Sequence, residues 1–131
     1  MIKLMVGLRR RPDLTREEFQ TYWYDTHPDA AGPALEGIKA MGALRYVQIH
    51  AIDETYNQRL GTARGGEDDF DGFAELWFES LDAFEEGARS DAGRAAAKVF
   101  LEDEKNFVDW SRTVIMVAEE KERFRADSYD G

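Results

Sequence analysis

The 131-residue sequence has no cysteine, two histidines and three prolines, and its 17 basic side chains are outnumbered by 27 acidic ones. Without cysteine there is no disulfide framework, no thiolate metal site and no thiol nucleophile. The formal charge of −10 argues against a nucleic-acid surface, which needs lysine and arginine in excess on one face. The only basic run, Arg9-Arg10-Arg11, reads as a solvated edge or a set of salt-bridge partners for acidic helices. No run of about 18 apolar residues is present, so no membrane-spanning helix is expected. The apolar start, residues 1–8, lacks a basic leader and a small-residue cleavage site, and reads as a strand. The glycines at 61, 65 and 66 lack the strand–turn–helix context of a phosphate loop. No nucleophile-elbow motif is present either. These absences lead to the expectation of a cytoplasmic protein with no nucleic-acid or membrane partner and no metal or organic cofactor.

What is present fits one domain with a substantial core: 43% hydrophobic and 12% aromatic residues. Residues 2–10 alternate, with Ile2, Leu4, Val6 and Leu8 on one face. Thr15-Arg16-Glu17-Glu18 is a capping box, flanked by Leu14 and Phe19 as a hydrophobic staple. The helix it opens carries Phe19, Tyr22, Trp23 and His27 at helical spacing and stops before Pro28. Residues 28–42 read as a turn with a short helical piece near 34–40. A second strand is expected over 44–52, a long polar loop over 53–69, and a third strand over 73–78. Helices begin after Ser80 and Ser90, and Val114-Ile115-Met116-Val117 forms the last strand. The order βαββαβ predicts an α+β, ferredoxin-like domain over residues 1–118, a four-stranded antiparallel sheet with its helices on one face. A charged tail, residues 119–131, follows; it is expected to be loose or to lie on a partner.

The third strand is aromatic on both faces. Ala74, Leu76 and Phe78 share one side; Phe73, Glu75 and Trp77 share the other. A strand buried on both sides needs two covers, and the helices supply one. A second copy of the sheet is the economical second cover, so a homodimer is expected. On the second strand Tyr46, Gln48 and His50 form a polar set, and they are expected to share the open face with Phe73, Glu75 and Trp77, around a cavity closed by the dimer.

A neutral imidazole takes up a proton from carbon and gives one to a leaving group. His50 is read as the general base and Tyr46 as a hydrogen-bond donor to a developing enolate. His27 and Glu75 are read as supporting acid/base or orienting groups. Glu75 has a second reading as a buried partner of Lys3, Arg9 or Arg45. Gln48, Trp77 and Phe73 are assigned to substrate binding.

The stretches Arg11-Pro12-Asp13-Leu14-Thr15 leading into Phe19, Tyr22, Trp23 and His27, Arg45-Tyr46-Val47-Gln48-Ile49-His50, Asp71-Gly72-Phe73-Ala74-Glu75-Leu76-Trp77-Phe78, and Asp103-Glu104 with Phe107-Val108-Asp109 together resemble the EthD family of the dimeric α+β-barrel superfamily. The resemblance spans about residues 2–118 and implies a barrel-type dimer. EthD itself is associated with an ether-degrading monooxygenase system and has no assigned reaction. Its relatives include cofactor-independent muconolactone isomerases and fungal polyketide dehydratases or decarboxylases. In the isomerases a histidine at the position resembling His27 lines the cavity; their second catalytic histidine, in the loop after the second strand, has no counterpart in residues 53–69. The expected function is a cofactor-free lyase or isomerase, dehydratase-like, acting on a small hydrophobic, cyclic or aromatic carbonyl compound. The alternative is a non-catalytic protein that holds such a metabolite for a partner oxygenase or degradation pathway.

Overall fold

The computed structural model describes all 131 residues. Strand β1 (Ile2–Leu8) leads to helix α1 (Arg16–Asp25), a 3₁₀ turn (His27–Asp29), α2 (Glu36–Ala40) and β2 (Arg45–His50). Helix α3 (Glu54–Thr62), β3 (Gly72–Phe78), α4 (Leu81–Arg89), α5 (Asp91–Glu104), a 3₁₀ turn (Trp110–Arg112) and β4 (Val114–Ala118) complete the chain. The strands lie in the order β2-β3-β1-β4, antiparallel throughout, so the domain is α+β and ferredoxin-like. β2 and β4 are the two edges. No helix is long and apolar enough to cross a membrane.

Local chemistry explains the helix starts. The Thr15 hydroxyl accepts from Glu18 N–H while the Glu18 carboxylate accepts from Thr15 N–H, closing the capping box. Ser80 and Ser90 cap α4 and α5 in the same way, each accepting from the N–H three residues on. The core lies between one sheet face and helices α1, α2 and α5. Phe19, Trp23 and Phe78 are buried there with Phe100 and Phe107, against Val6, Leu8, Ala74 and Leu76. Gly72 matters to this packing: a Cβ there would lie 2.5 Å from the Trp23 ring, which rests on the strand at that point.

Residues 53–69 differ from the expected loop. Asp53 accepts from Tyr56 N–H and opens α3, a helix with no buried residue. With no apolar stripe to give a period, its only signal in the sequence was the cap.

The larger correction concerns the faces of the sheet. The β2–β3 register pairs Tyr46 with Leu76, Gln48 with Ala74 and His50 with Gly72. Cross-strand partners share a face, so Tyr46, Gln48 and His50 lie on the helix side. Val47 pairs with Glu75 and Ile49 with Phe73, on the opposite side. The apolar alternation in β2 belongs to the uncovered face. Parity within a strand is legible in a sequence, but its register against a neighbour is not.

That uncovered face carries Met5, Val47, Ile49, Phe73, Val114 and Met116 around an ion pair. Lys3 Nζ lies 2.8 Å from Glu75 Oε1 and 3.2 Å from Glu120 Oε1 of the tail. Lys3 also sits over the Trp77 ring, which the Arg45 guanidinium covers as well. Burial lowers the Lys3 pKa, but the two glutamates outweigh it and hold the ammonium above its ordinary value.

Candidate active site

A cavity of about 390 Å³ lies between the sheet and the helices and crosses all four strands, from Tyr46 through Leu76 and Leu4 to Ile115. That volume falls within the range of small-molecule sites. Of its 18 lining residues only His27 and Glu104 are not hydrophobic or aromatic. Leu101 and Ile115, both more than half exposed, mark its mouth between α5 and β4.

The 3₁₀ turn after α1 brings His27 into this cavity, and the last turn of α5 brings Asp103 and Glu104 to meet it. His27 Nδ1 is 2.7 Å from Asp103 Oδ2, and His27 Nε2 is 3.8 Å from Glu104 Oε2. The imidazole is wedged against Phe100 and Phe107. Tyr22 donates its hydroxyl to Asp103 at 2.6 Å, and Asn106 donates to both Tyr22 and Asp103. Burial pushes the Asp103 carboxyl upward, but the bonds from Tyr22, His27 and Asn106 outweigh it and hold the group below the usual carboxylate range. An ionised Asp103 only accepts, so His27 carries its proton on Nδ1 and presents a bare Nε2. Burial lowers the His27 pKa against the pull of Asp103, which keeps the ring neutral at pH 7.

Glu104 is the opposite case. Burial raises its pKa to about 7, with the charge of Asp103 adding to the shift and a 3.1 Å bond from Trp110 Nε1 opposing it. Its position at the C-terminal end of α5 adds an unfavourable dipole for any anion, and no basic residue lies in that last turn. The site therefore places a neutral base beside a carboxylic acid that gains and loses its proton near neutrality.

The expected site residues divide among three places. His27 and Tyr46 line the cavity. Gln48 and His50 line a separate surface groove with Tyr24, Pro28, Asp29 and Leu35; Tyr46 is the one residue common to both. Glu75, Phe73 and Trp77 are on the far side of the sheet, and none lines the cavity. Glu75 pairs with Lys3, one of the partners its structural reading named. The cavity itself is enclosed by helices and sheet of one chain, not by two facing sheets.

Sequence reasoning missed Asp103 and Glu104 as site residues. The available signal was Glu102-Asp103-Glu104 closing a helix, where carboxylates oppose the dipole and lower helix stability. No group of three or more His, Cys, Asp or Glu side chains is arranged as a metal site.

Comparison with solved structures places the fold among proteins of low sequence identity. An EthD-family protein from Bacillus halodurans C-125 is 18% identical with a TM-score of 0.58, over 92% of this chain and 99% of that one. An EthD-like protein from Ralstonia eutropha JMP134 is 16% identical with a TM-score of 0.54, over 90% and 89%. A dimeric protein of unknown function and ferredoxin-like fold from Bacteroides fragilis is 15% identical with a TM-score of 0.53, over 91% and 95%. No curated protein matches. The EthD domain model matches residues 11–111, a span that holds His27, Tyr46 and Glu104, and on that match the chain belongs to the EthD family.

Proposed function

We propose that the chain is a cofactor-free lyase or isomerase, dehydratase-like, that abstracts a proton beside the carbonyl of a small cyclic or aromatic compound held in the cavity. The observation that supports this most is the pairing of a neutral His27 Nε2 with a protonatable Glu104 at 3.8 Å, at the polar end of an otherwise apolar chamber. In the forward step His27 Nε2 takes the proton from carbon and the electron pair moves toward the carbonyl oxygen. Glu104 then gives its proton to a departing hydroxyl, which leaves as water as the double bond forms. Proton return from His27 to the Glu104 carboxylate restores both groups, so donor and acceptor balance without an added reagent. Asp103 keeps the imidazole in the required tautomer. The role first read onto His50 passes to His27, because His50 faces the groove.

The exposed apolar face of the sheet, with Ile49, Val114 and Met116 open to solvent, supports a homodimer formed through that face. The relative from Bacteroides fragilis, described as dimeric, agrees with it.

Exchange of the α-protons of 1-tetralone in D₂O, followed by NMR, tests the reaction class without knowledge of the natural substrate. The protein is expected to accelerate exchange and His27→Ala to abolish the acceleration. Binding of the ketone with no exchange would overturn the enzymatic reading and leave a protein that holds a metabolite for a partner.

A further inference from the structure

Three side chains of β2 form one hydrogen-bonded line from the groove to the cavity wall. His50 Nε2 is 2.8 Å from Gln48 Oε1, and Gln48 Nε2 lies 2.6 Å from the Tyr46 hydroxyl and 2.9 Å from the Trp23 carbonyl oxygen. The last contact decides the direction of the others. A backbone carbonyl only accepts, so the Gln48 group facing it must be the NH₂, and a flipped amide would set two acceptors against each other. Gln48 Oε1 then faces His50 and only accepts, which places the His50 proton on Nε2. Both amide hydrogens of Gln48 are committed, one to Trp23 and one to the Tyr46 oxygen. Tyr46 therefore accepts from Gln48, and its own proton is free to point elsewhere.

Tyr46 lines both the cavity and the groove, and Gln48, which lines only the groove, occupies its hydroxyl from that side, so the cavity is the open direction for its proton. We propose that Gln48 and His50 are positioning residues that make Tyr46 a hydrogen-bond donor into the cavity, so that the ligand presents an acceptor oxygen, a ketone or enolate, at that end. Two features keep the line in place. The His50 ring stacks on Trp23 with centroids 4.6 Å apart and planes 13° from parallel. Burial raises the Tyr46 pKa, against the neighbouring Gln48 and Trp23 side chains, so the phenol keeps its proton at neutral pH. This inference rests on the cavity as the ligand site of the proposed function, but the direction of the hydrogen bonds is independent of it.

Two measurements test it. Long-range ¹H–¹⁵N NMR of ¹⁵N-histidine-labelled protein, with only two imidazoles to assign and His50→Asn as the reference, reads the His50 tautomer. The Nε2–H form is expected, and the Nδ1–H form would overturn the direction of the line. Tryptophan fluorescence titration compares 1-tetralone with tetralin, which has the same rings and no acceptor. The ketone is expected to bind about tenfold tighter, in keeping with one hydrogen bond of roughly 1.4 kcal/mol. That ratio should fall to near one in Tyr46→Phe, and also in Gln48→Glu, where a carboxylate would draw the Tyr46 proton away from the cavity. An unchanged ratio in Gln48→Glu overturns the inference, whether or not both probes also bind more weakly. If neither probe binds, the cavity reading of the proposed function fails, while the tautomer still decides the direction of the line.

Discussion

His27 gives its Nδ1 proton to Asp103 across 2.7 Å, and this one bond fixes which nitrogen of the ring faces the cavity. Replacing Asp103 with Asn offers an amide to Nδ1 and reverses the tautomer. Asp103→Asn is expected to lower turnover by about 10²- to 10⁴-fold, the usual share of a positioned general base. The same variant should show the Nε2–H form of His27 by ¹⁵N NMR. Loss of turnover without that change of tautomer would assign Asp103 another role.

Glu104 makes stability fall as pH rises. Its carboxyl has a pKa of about 7 in the fold against an ordinary 4.5, so the folded state binds the extra proton between those values. Its favourable contribution is complete below pH 4.5 and is lost as pH climbs through 7. Glu104→Gln keeps an acceptor for Trp110 and removes the titration. The variant is expected to match the parent in thermal stability near pH 4 and to exceed it at pH 8, by on the order of 2 kcal/mol. Calorimetry at the two pH values checks this, and equal differences at both would refute the assignment.

Glu75 provides the complementary test on the other side of the sheet. Glu75→Ala leaves the buried Lys3 ammonium with Glu120 alone and is expected to cost about 3 kcal/mol by urea unfolding. Lys3→Met combined with Glu75→Leu should recover most of that loss. Ligand affinity and proton exchange should be unaffected in the double variant, because neither residue reaches the cavity.

The uncovered face predicts its own variant. Met116→Lys places a charge on the exposed strand face, on the side of β4 turned away from the cavity. If two copies meet through this face, the dissociation constant seen by light scattering should rise by about 100-fold or more, near 2.7 kcal/mol. A monomeric parent protein would contradict the dimer outright.

Much of the fold was legible because its signals are local. The capping box at Thr15, the serine caps at 80 and 90, and the alternation of β1 each name an element without reference to any other. The parity of β3 was read correctly for the same reason. The site was only half legible. His27 stood out on an inward helical stripe, and it does line the cavity. His50 and Glu75 were joined because β2 and β3 each have a polar or mixed face, yet the register between them sets those faces on opposite sides of the sheet. Glu104 was hidden because nothing in a sequence says that the end of one helix folds back beside the end of another. Its adverse place on the α5 dipole was the one clue.

The exposed edge strand β4 has a consequence for handling the protein. Val114–Ala118 is five apolar residues in a row on an unpaired edge, with Val114, Ile115, Met116 and Val117 all exposed. Such a segment is a template for pairing with further copies of itself. The residues that follow, Glu119, Glu120, Lys121, Glu122 and Arg123, are all charged and act as gatekeepers against that growth. A chain shortened to Ala118 would retain every strand and still be expected to precipitate sooner, so the tail sets the colloidal lifetime of a fold whose sheet it does not help to build.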